Sequence, residues 1–358
     1  MFNFYHFNDE AAQSLYKKLL LDTAKKLPHF VIEYLYNFCI DINSGCFFVF
    51  KNEKTKSFVV MPGYLRNIII GGVTTDYQDF ISPYGYYGPF SSINTTEQDL
   101  INFWDQLDNW YADHKIVSEF IRFGLDENFK GYSGQLVPTL TNIKGKIIQD
   151  VEQWSNFEHK VRKNVKKAQR EGLSTGIYFR NITEEIIETF YSIYIHTMQR
   201  TNATNNFFYT KDNFSNFIFN NPDLSAIAVI RDKDVPIAAE LLLVSDDSIY
   251  SFLGGTISDY FDKRPNDLLK FEVINWAREN KIKYFILGGG YGADDGIYKY
   301  KKSFFPNDSV TYYTGRKILN DELYSKLLDI HNEERKKSKV EELLIDDKSF
   351  FPLYRKVT

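Results

Sequence analysis

Few side chains of the usual catalytic types stand out in this chain of 358 residues, and those that could do chemistry are scattered. One carboxylate, Glu240, sits in the apolar run Ala238-Ala-Glu-Leu-Leu-Leu243. On a strand it either points inward, where burial fits it for general-base work, or alternates outward into water. Three lysines, Lys299, Lys301 and Lys302, follow the glycine-rich stretch Gly288-Gly-Gly-Tyr-Gly-Ala-Asp-Asp-Gly296. Such glycines let a ligand approach the main chain closely, or else form a plain turn. Their spacing is not that of the GxGxxG dinucleotide fingerprint, and the residues after them open a long crossover helix poorly. Six cations (Lys160, Arg162, Lys163, Lys166, Lys167 and Arg170) crowd three helical turns. Phosphate is the natural partner for that face, as a nucleotide-sugar diphosphate, coenzyme A or a tRNA acceptor arm. The alternative is a merely solvated face opposite Val161 and Val165.

Missing motifs remove whole reaction classes. The sequence has no GxSxG elbow, no HExxH, no GxxxxGK[ST] and no Cys/His metal spacing, so serine hydrolases, zincins and P-loop NTPases drop out and no metal is expected. Cys39 and Cys46 form neither a disulfide framework nor a zinc pair, which fits a reducing cytoplasm. The first residues lack a basic segment followed by an apolar one, and no apolar run is long enough to span a bilayer. A cytoplasmic protein without a membrane span is therefore expected. The net charge of −4 argues against a protein that coats nucleic acid, though a local basic patch survives such an average.

The elements that must position these residues read as two α/β stretches with mixed sheets. A helix is expected over Asp9 to Lys26, then strands at Cys46 to Phe50, Ser57 to Met61 and Asn67 to Ile70. The Pro- and Gly-rich loop Ser82 to Pro89 precedes a helix capped by Thr96, with Phe103, Leu107 and Trp110 on one face, and a strand at Ile116 to Phe123. Near Asp150 the pattern restarts with helices at Glu152 to Glu171 and Thr183 to Gln199. Strands follow at Leu224 to Ile230, Val235 to Val244 and Ile249 to Leu253, joined by the polar turns Arg231 to Asp234 and Ser245 to Ser248. A helix from Asn266 to Asn280 and a strand from Lys283 to Leu287 lead into the glycines. The expected division is a first domain over 1–150, a second over 151–318, and a C-terminal helix and tail over 319–358 that pack back on the first.

Several stretches, in this order, resemble the FemABX family and its GNAT-like relatives. Gly296-Ile-Tyr-Lys-Tyr-Lys-Lys-Ser-Phe304 is similar to the family's C-terminal signature, with Tyr300 at the aromatic position and Lys301 at the lysine position. Tyr84-Gly-Tyr-Tyr-Gly-Pro89 resembles its first-half Gly-Pro loop, and Ser118 to Phe123 a strand of the GNAT-like members. Glu158 to Ala168 resembles the basic helix that opens the second half; Thr197-Met-Gln-Arg200 and Arg264-Pro-Asn-Asp-Leu-Leu269 complete the series.

The resemblance implies two GNAT-like acyl-CoA N-acyltransferase domains in tandem and transfer of an acyl group to an amine in a cleft between them. An amine is a nucleophile once deprotonated, so such an enzyme must align it and stabilise a developing oxyanion. Lys301 suits that task unless it is a solvated lysine; Tyr300 supports the acyl group or packs. Arg200, before a polar loop with Tyr209 behind it, would hold a substrate phosphate or carboxylate, or simply favour its helix C-terminus. Arg264 and Asn266 precede the helix whose N-terminus meets the coenzyme A pyrophosphate in ordinary GNAT enzymes. This chain lacks the glycines needed there, Asp267 would repel the anion, and Asn266 is alternatively an N-cap. Tyr84 and Tyr86 join the substrate-binding candidates; Gly288, Gly289, Gly290, Arg162 and Lys163 are the cofactor-binding ones.

The function expected is transfer from acyl-CoA onto the amine of a cell-envelope precursor such as a nucleotide-linked amino sugar. The alternatives are an aminoacyl-tRNA-dependent transferase acting on a peptidoglycan precursor, and a catalytically silent module that binds a glycan precursor.

Overall fold

The computed structural model describes residues 1–39, 44–70, 72–290, 292 and 295–356. Tyr291, Ala293 and Asp294 of the glycine-rich run lie outside the described residues. The strands are β1 (Phe2–His6), β2 (Gly45–Lys51), β3 (Phe58–Ile70), β4 (Val73–Ile81), β5 (Phe90–Ser91), β6 (Ile116–Arg122), β7 (Gln135–Lys146), β8 (Leu173–Phe179), β9 (Ser225–Asp232), β10 (Val235–Val244), β11 (Ser248–Thr256), β12 (Tyr284–Gly288) and β13 (Ser309–Ile318). The helices are α1 (Glu10–Leu21), α2 (Ile32–Tyr34), α3 (Glu97–Asp113), α4 (Asp150–Asn156), α5 (His159–Arg170), α6 (Glu184–Arg200), α7 (Lys211–Asn220), α8 (Pro265–Glu279), α9 (Gly296–Lys302) and α10 (Asp321–Lys337). Among the described residues, no helix is long and apolar enough to cross a membrane.

The chain forms two compact units, one of Met1–Ala24, Cys39–Thr139 and Tyr312–Thr358, the other of Lys25–Phe38 and Leu140–Thr311. The sequence reading cut the chain at 150 and 318. These units instead exchange segments, because Lys25–Phe38 and Leu140–Asp150 leave the first stretch and Tyr312–Ile318 leaves the second.

Unit 1 orders its strands β1-β2-β3-β4-β6-β13, with β5 on β3. The pair β4 and β6 is parallel. The two strands expected around 57–61 and 67–70 are one strand, β3, running through Pro62-Gly63. Glycine is required there, since a Cβ at Gly63 would lie 2.1 Å from the Phe80 ring. Helix α3 starts on a capping box of Thr96 and Asp99, and the buried Asp99 carboxylate also accepts from Asn52 (2.7 Å) and Ser57 (2.9 Å). Its Phe103, Trp104, Leu107 and Tyr111 join Phe48, Met61 and Phe80 in the core; Trp110 is only partly buried. Helix α10, capped by Asn320, packs Tyr324, Leu327 and Leu328 against Ile68, Val117 and Leu353.

Unit 2 orders its strands β7-β12-β11-β10-β9-β8, with β11 and β12 parallel. The hairpins β9–β10 and β10–β11 form at the two polar turns expected. One face, with Ala226, Ala228, Ala238 and Leu242, packs on Val161 and Val165 of α5 and on Leu269 and Val273 of α8. The other face meets α6, where Gly255 admits Thr197 so closely that a Cβ would lie 2.4 Å from its Oγ1. The single helix expected over 152–171 is two, because Phe157 turns extended and sinks between Trp154, Phe271 and Phe304.

His29 of unit 2 is buried with its ring 4.6 Å from that of Tyr250, and burial pulls its imidazole down to about 3. The unfolded chain then binds a proton that the folded chain refuses between roughly pH 6.5 and pH 3, so stability rises with pH across that window. Urea titrations are expected to give an unfolding free energy that falls from about pH 7 to about pH 4, and His29→Phe should make that fall shallower.

Candidate active site

Strand alternation decides which way Glu240 points. Even-numbered neighbours on β10, Ala238 and Leu242, face α5 and α8, and Glu240 shares that face. It is 5 % exposed, so the inward reading holds and the solvated one does not. Its carboxylate meets Lys270 of α8, whose Nζ lies 2.5 Å and 2.6 Å from the two oxygens. Ser251 of β11 also donates to Glu240. A bulge makes this possible: between Leu241 and Leu242 the register slips, leaving Phe252 unopposed and bringing Ser251 opposite Leu242. Without the extra residue, Phe252 would occupy that face.

Around this pair stand groups from three helices. Asp267, one turn before Lys270 on α8, is buried and accepts from Asn164 of α5 at 3.2 Å. Burial raises its pKa, against the pull of Asn164, Arg264 and Lys160. Tyr300 of α9 has a buried hydroxyl with no hydrogen-bond partner among the described residues. Burial, then the charges of Asp267 and Glu240, push its pKa well up, so it stays a phenol with a proton to give. Lys301, also on α9, donates to the Gly289 main-chain oxygen at 2.6 Å and is half-buried, unlike a solvated lysine. Burial, then the Lys270 charge, lower its pKa to about 8, while Glu240 and Asp295 hold it up. Asp295 caps α9 through Tyr298 N (2.7 Å) and also accepts from Gly292 N (3.1 Å).

The glycines serve this arrangement. Gly288 ends β12 at a φ of 75°, Gly289 supplies the oxygen that Lys301 uses, and a Cβ on Gly290 would lie 2.2 Å from the Asp295 carboxylate. An ammonium that gives one N–H to a main-chain oxygen keeps two others, with which it can stabilise an oxygen that gains negative charge.

The remaining candidates fall elsewhere. Arg264 and Asn266 flank the start of α8, and Asn266 is not its N-cap: Arg264 holds that position at a φ of 62°, and Asn266 Oδ1 accepts from Thr256 at 2.6 Å. Arg200 is exposed at the end of α6 over the Phe261 ring (5.0 Å). Tyr209 donates to the Phe38 main-chain oxygen at 3.1 Å, which ties its hydroxyl to the fold. Arg162 turns back to the main-chain oxygens of Ser155 and Phe157, whereas Lys163 is exposed on the basic face of α5. Tyr84 and Tyr86 belong to unit 1, Tyr84 exposed and 5.6 Å from Arg122, Tyr86 against the Tyr312 ring. Sequence reasoning missed Lys270, Asn164 and Ser251. The signal for Lys270 was its i, i+3 spacing from Asp267, two charges breaking an apolar stripe on one helix face. Among the described residues no group of three or more His, Cys, Asp or Glu could hold a metal ion.

Residues 159–302 match the acetyltransferase (GNAT) domain family, and this span contains every residue of the cluster. No curated protein matches the sequence. By structure the chain is similar to FemX, at 12% identity over 88% of this chain and 98% of that one, with a TM-score of 0.62. It is also similar to L-PGS from Bacillus licheniformis (11% identity, 90% and 96% covered, TM-score 0.56). A third is the C-terminal domain of a putative lysylphosphatidylglycerol synthetase from Agrobacterium fabrum (11% identity, 86% and 92% covered, TM-score 0.55). At these identities the likeness is one of fold, and with the domain match it makes the architecture a two-domain GNAT-like one.

The cluster has a direct electrostatic check. Glu240→Gln removes a charge that holds the Lys301 pKa up, so the pH midpoint of Lys301 acylation, followed by peptide mass spectrometry, should drop below about 8. Glu240→Ala strands the Lys270 ammonium and should cost about 3 kcal/mol in urea unfolding, most of it recovered by the double change Glu240→Ala, Lys270→Met.

Proposed function

We propose that this chain, a FemABX/GNAT-like acyltransferase by its domain match and fold, moves an acyl group from acyl-CoA onto the amine of a cell-envelope precursor such as a nucleotide-linked amino sugar. The observation that carries the reading is the half-buried Lys301 ammonium held on the Gly289 oxygen, on the same short helix as a buried Tyr300 hydroxyl that has no hydrogen-bond partner among the described residues.

In this reading the amine nitrogen attacks the thioester carbonyl carbon. A C–N bond forms, the carbonyl electron pair moves onto oxygen, and the Lys301 N–H bonds stabilise that oxyanion. As the oxyanion collapses the C–S bond breaks, and the Tyr300 hydroxyl supplies the proton that the thiolate takes. The proton that the amine nitrogen loses passes to the Tyr300 phenolate left behind, which restores the phenol and balances the transfer. Glu240 is engaged by the Lys270 ammonium; Asp267, whose pKa is raised by burial, stands close enough for its charge to act on the Tyr300 phenol. The basic face of α5 supports a second donor, an aminoacyl-tRNA with a peptidoglycan precursor as acceptor, because exposed Lys163, Lys166 and Arg170 offer phosphates a sequence-independent hold.

The test offers the purified chain labelled acyl-CoA or charged tRNA, each with aminosugar nucleotides and peptidoglycan precursors. Transfer from acyl-CoA is expected. Lys301→Ala should lower kcat by about a hundred- to a thousandfold, and Lys301→Arg should retain most of it. The rate should fall on the alkaline side as Lys301 loses its proton, with an inflection at about 8 that disappears in Lys301→Arg. Transfer from charged tRNA alone would replace the donor proposed here. Tight precursor binding with no transfer from either donor would mean a silent binding module.

A further inference from the structure

Unit 1 contains a cavity of about 740 Å³ that the transferase reading does not use. Arg66 of β3, Arg122 of β6, Arg316 of β13 and Arg355 after α10 line it, and Phe120 and Phe351 are set among them. Arg335 of α10 lines it too, and the one acidic residue on its wall, Glu334, is exposed. The guanidinium charge exceeds the acid available to balance it.

The hydrogen-bond accounting is equally one-sided. Asp79, fully buried on β4, serves two arginines at once, accepting from Arg66 Nε at 2.7 Å and Arg355 Nε at 2.5 Å, and from the Tyr354 hydroxyl at 3.0 Å. Arg66 keeps a buried Nη2 with no partner among the described residues. Arg316 is 7 % exposed; its Nη1 donates to the main-chain oxygens of Lys348 and Phe350, but its Nε has no partner among the described residues. Arg122 donates to the main-chain oxygen of Ser82 at 3.2 Å, lies 4.8 Å from the Phe120 ring, and makes no ion pair among the described residues. Burial lowers its pKa, and the Arg66 charge adds to the lowering. Buried guanidinium donors left over in this way are the groups a bound anion satisfies.

We propose that this cavity binds a phosphate or diphosphate ester whose organic part is aromatic or apolar. Forked donors from several arginines match the many oxygens of phosphate, whereas one carboxylate would leave most of the charge unbalanced. The volume lies in the range of small-molecule sites and far exceeds a bare oxyanion, and the Phe120 and Phe351 rings give the organic part a surface. The ester is a free nucleotide or the headgroup of a lipid; both present the same phosphate chemistry. This site rests on unit 1 alone and does not depend on the transferase activity.

The test uses the full chain with three probes: inorganic pyrophosphate, uridine 5′-diphosphate, and vesicles of phosphatidylglycerol. Each is titrated by calorimetry at low and high salt, and each is tested for protecting arginines from phenylglyoxal, read by peptide mass spectrometry. Uridine diphosphate or the vesicles should bind about tenfold more tightly than pyrophosphate, bind less tightly in high salt, and protect Arg66, Arg122 and Arg316. Whichever of the two protects identifies the source of the ester. Arg122→Gln should weaken binding at least about tenfold while the unfolding temperature of the unliganded chain holds. If that variant fails to fold, the protection pattern of the unaltered chain decides. Protection of Arg162 and Arg170 on α5 in place of these three, no protection by any probe, or unchanged affinity in Arg122→Gln would each overturn the proposal.

Discussion

The buried pair of Glu240 and Lys270 is what the chemistry of unit 2 depends on. An ammonium 12 % exposed would be costly to keep without a partner, and Glu240 is the partner it has. Because Lys270 already engages that carboxylate, the second lysine nearby has no acid of its own. Lys301 is left to a main-chain oxygen, and burial first, then the like charge of Lys270, lowers its pKa. The satisfied lysine thus adds to the perturbation that burial begins.

A comparison inside the molecule sharpens this point. Unit 1 also buries a strand carboxylate, Glu119, which accepts from the Tyr111 hydroxyl at 2.8 Å and the Tyr132 hydroxyl at 2.9 Å, with Lys317 at 3.7 Å. Both phenols are spent on the carboxylate and Lys317 turns to Asp108 as well, so that network has no donor to spare. In unit 2 the buried phenol of Tyr300 has no hydrogen-bond partner among the described residues. A closed polar network specifies a core, whereas an open one has capacity left for a ligand.

How much of this was legible in the sequence follows from how local each signal is. The Thr96 cap and the two polar hairpin turns of unit 2 depend on neighbours within a few residues, and the structure has them where the sequence reading expected. Lys301 and Tyr300 were found through a motif and Glu240 through a charge in an apolar strand. Lys270 and Ser251 were not, since their roles arise from a helix laid across a sheet and from a one-residue bulge, neither of which leaves a periodic trace. Strands β7 and β13 escaped for a related reason: their burial alternates irregularly and each contributes residues to both compact units, so neither carries a clean period of two. The split of the expected long helix at Phe157 was likewise invisible, because an aromatic residue drawn inward by Phe271 and Phe304 fits a helical stripe as well as a break.

Charge density on the sequence proved a poor guide to where charge remains unsatisfied. The six cations of α5 form the densest basic run in the chain, yet Lys163, Lys166 and Arg170 are exposed, Arg162 bonds back to the main chain, and water can solvate the rest. The arginines of unit 1 lie at positions 66, 122, 316, 335 and 355, too far apart for any window to register, and strand pairing and the C-terminal segment bring them to one cavity. Solvated cations contribute long-range attraction that salt screens, while buried donors without acceptors cost free energy until something binds them. The fold therefore distinguishes two kinds of positive charge that composition counts alike, and only the second kind has a place already shaped for a ligand.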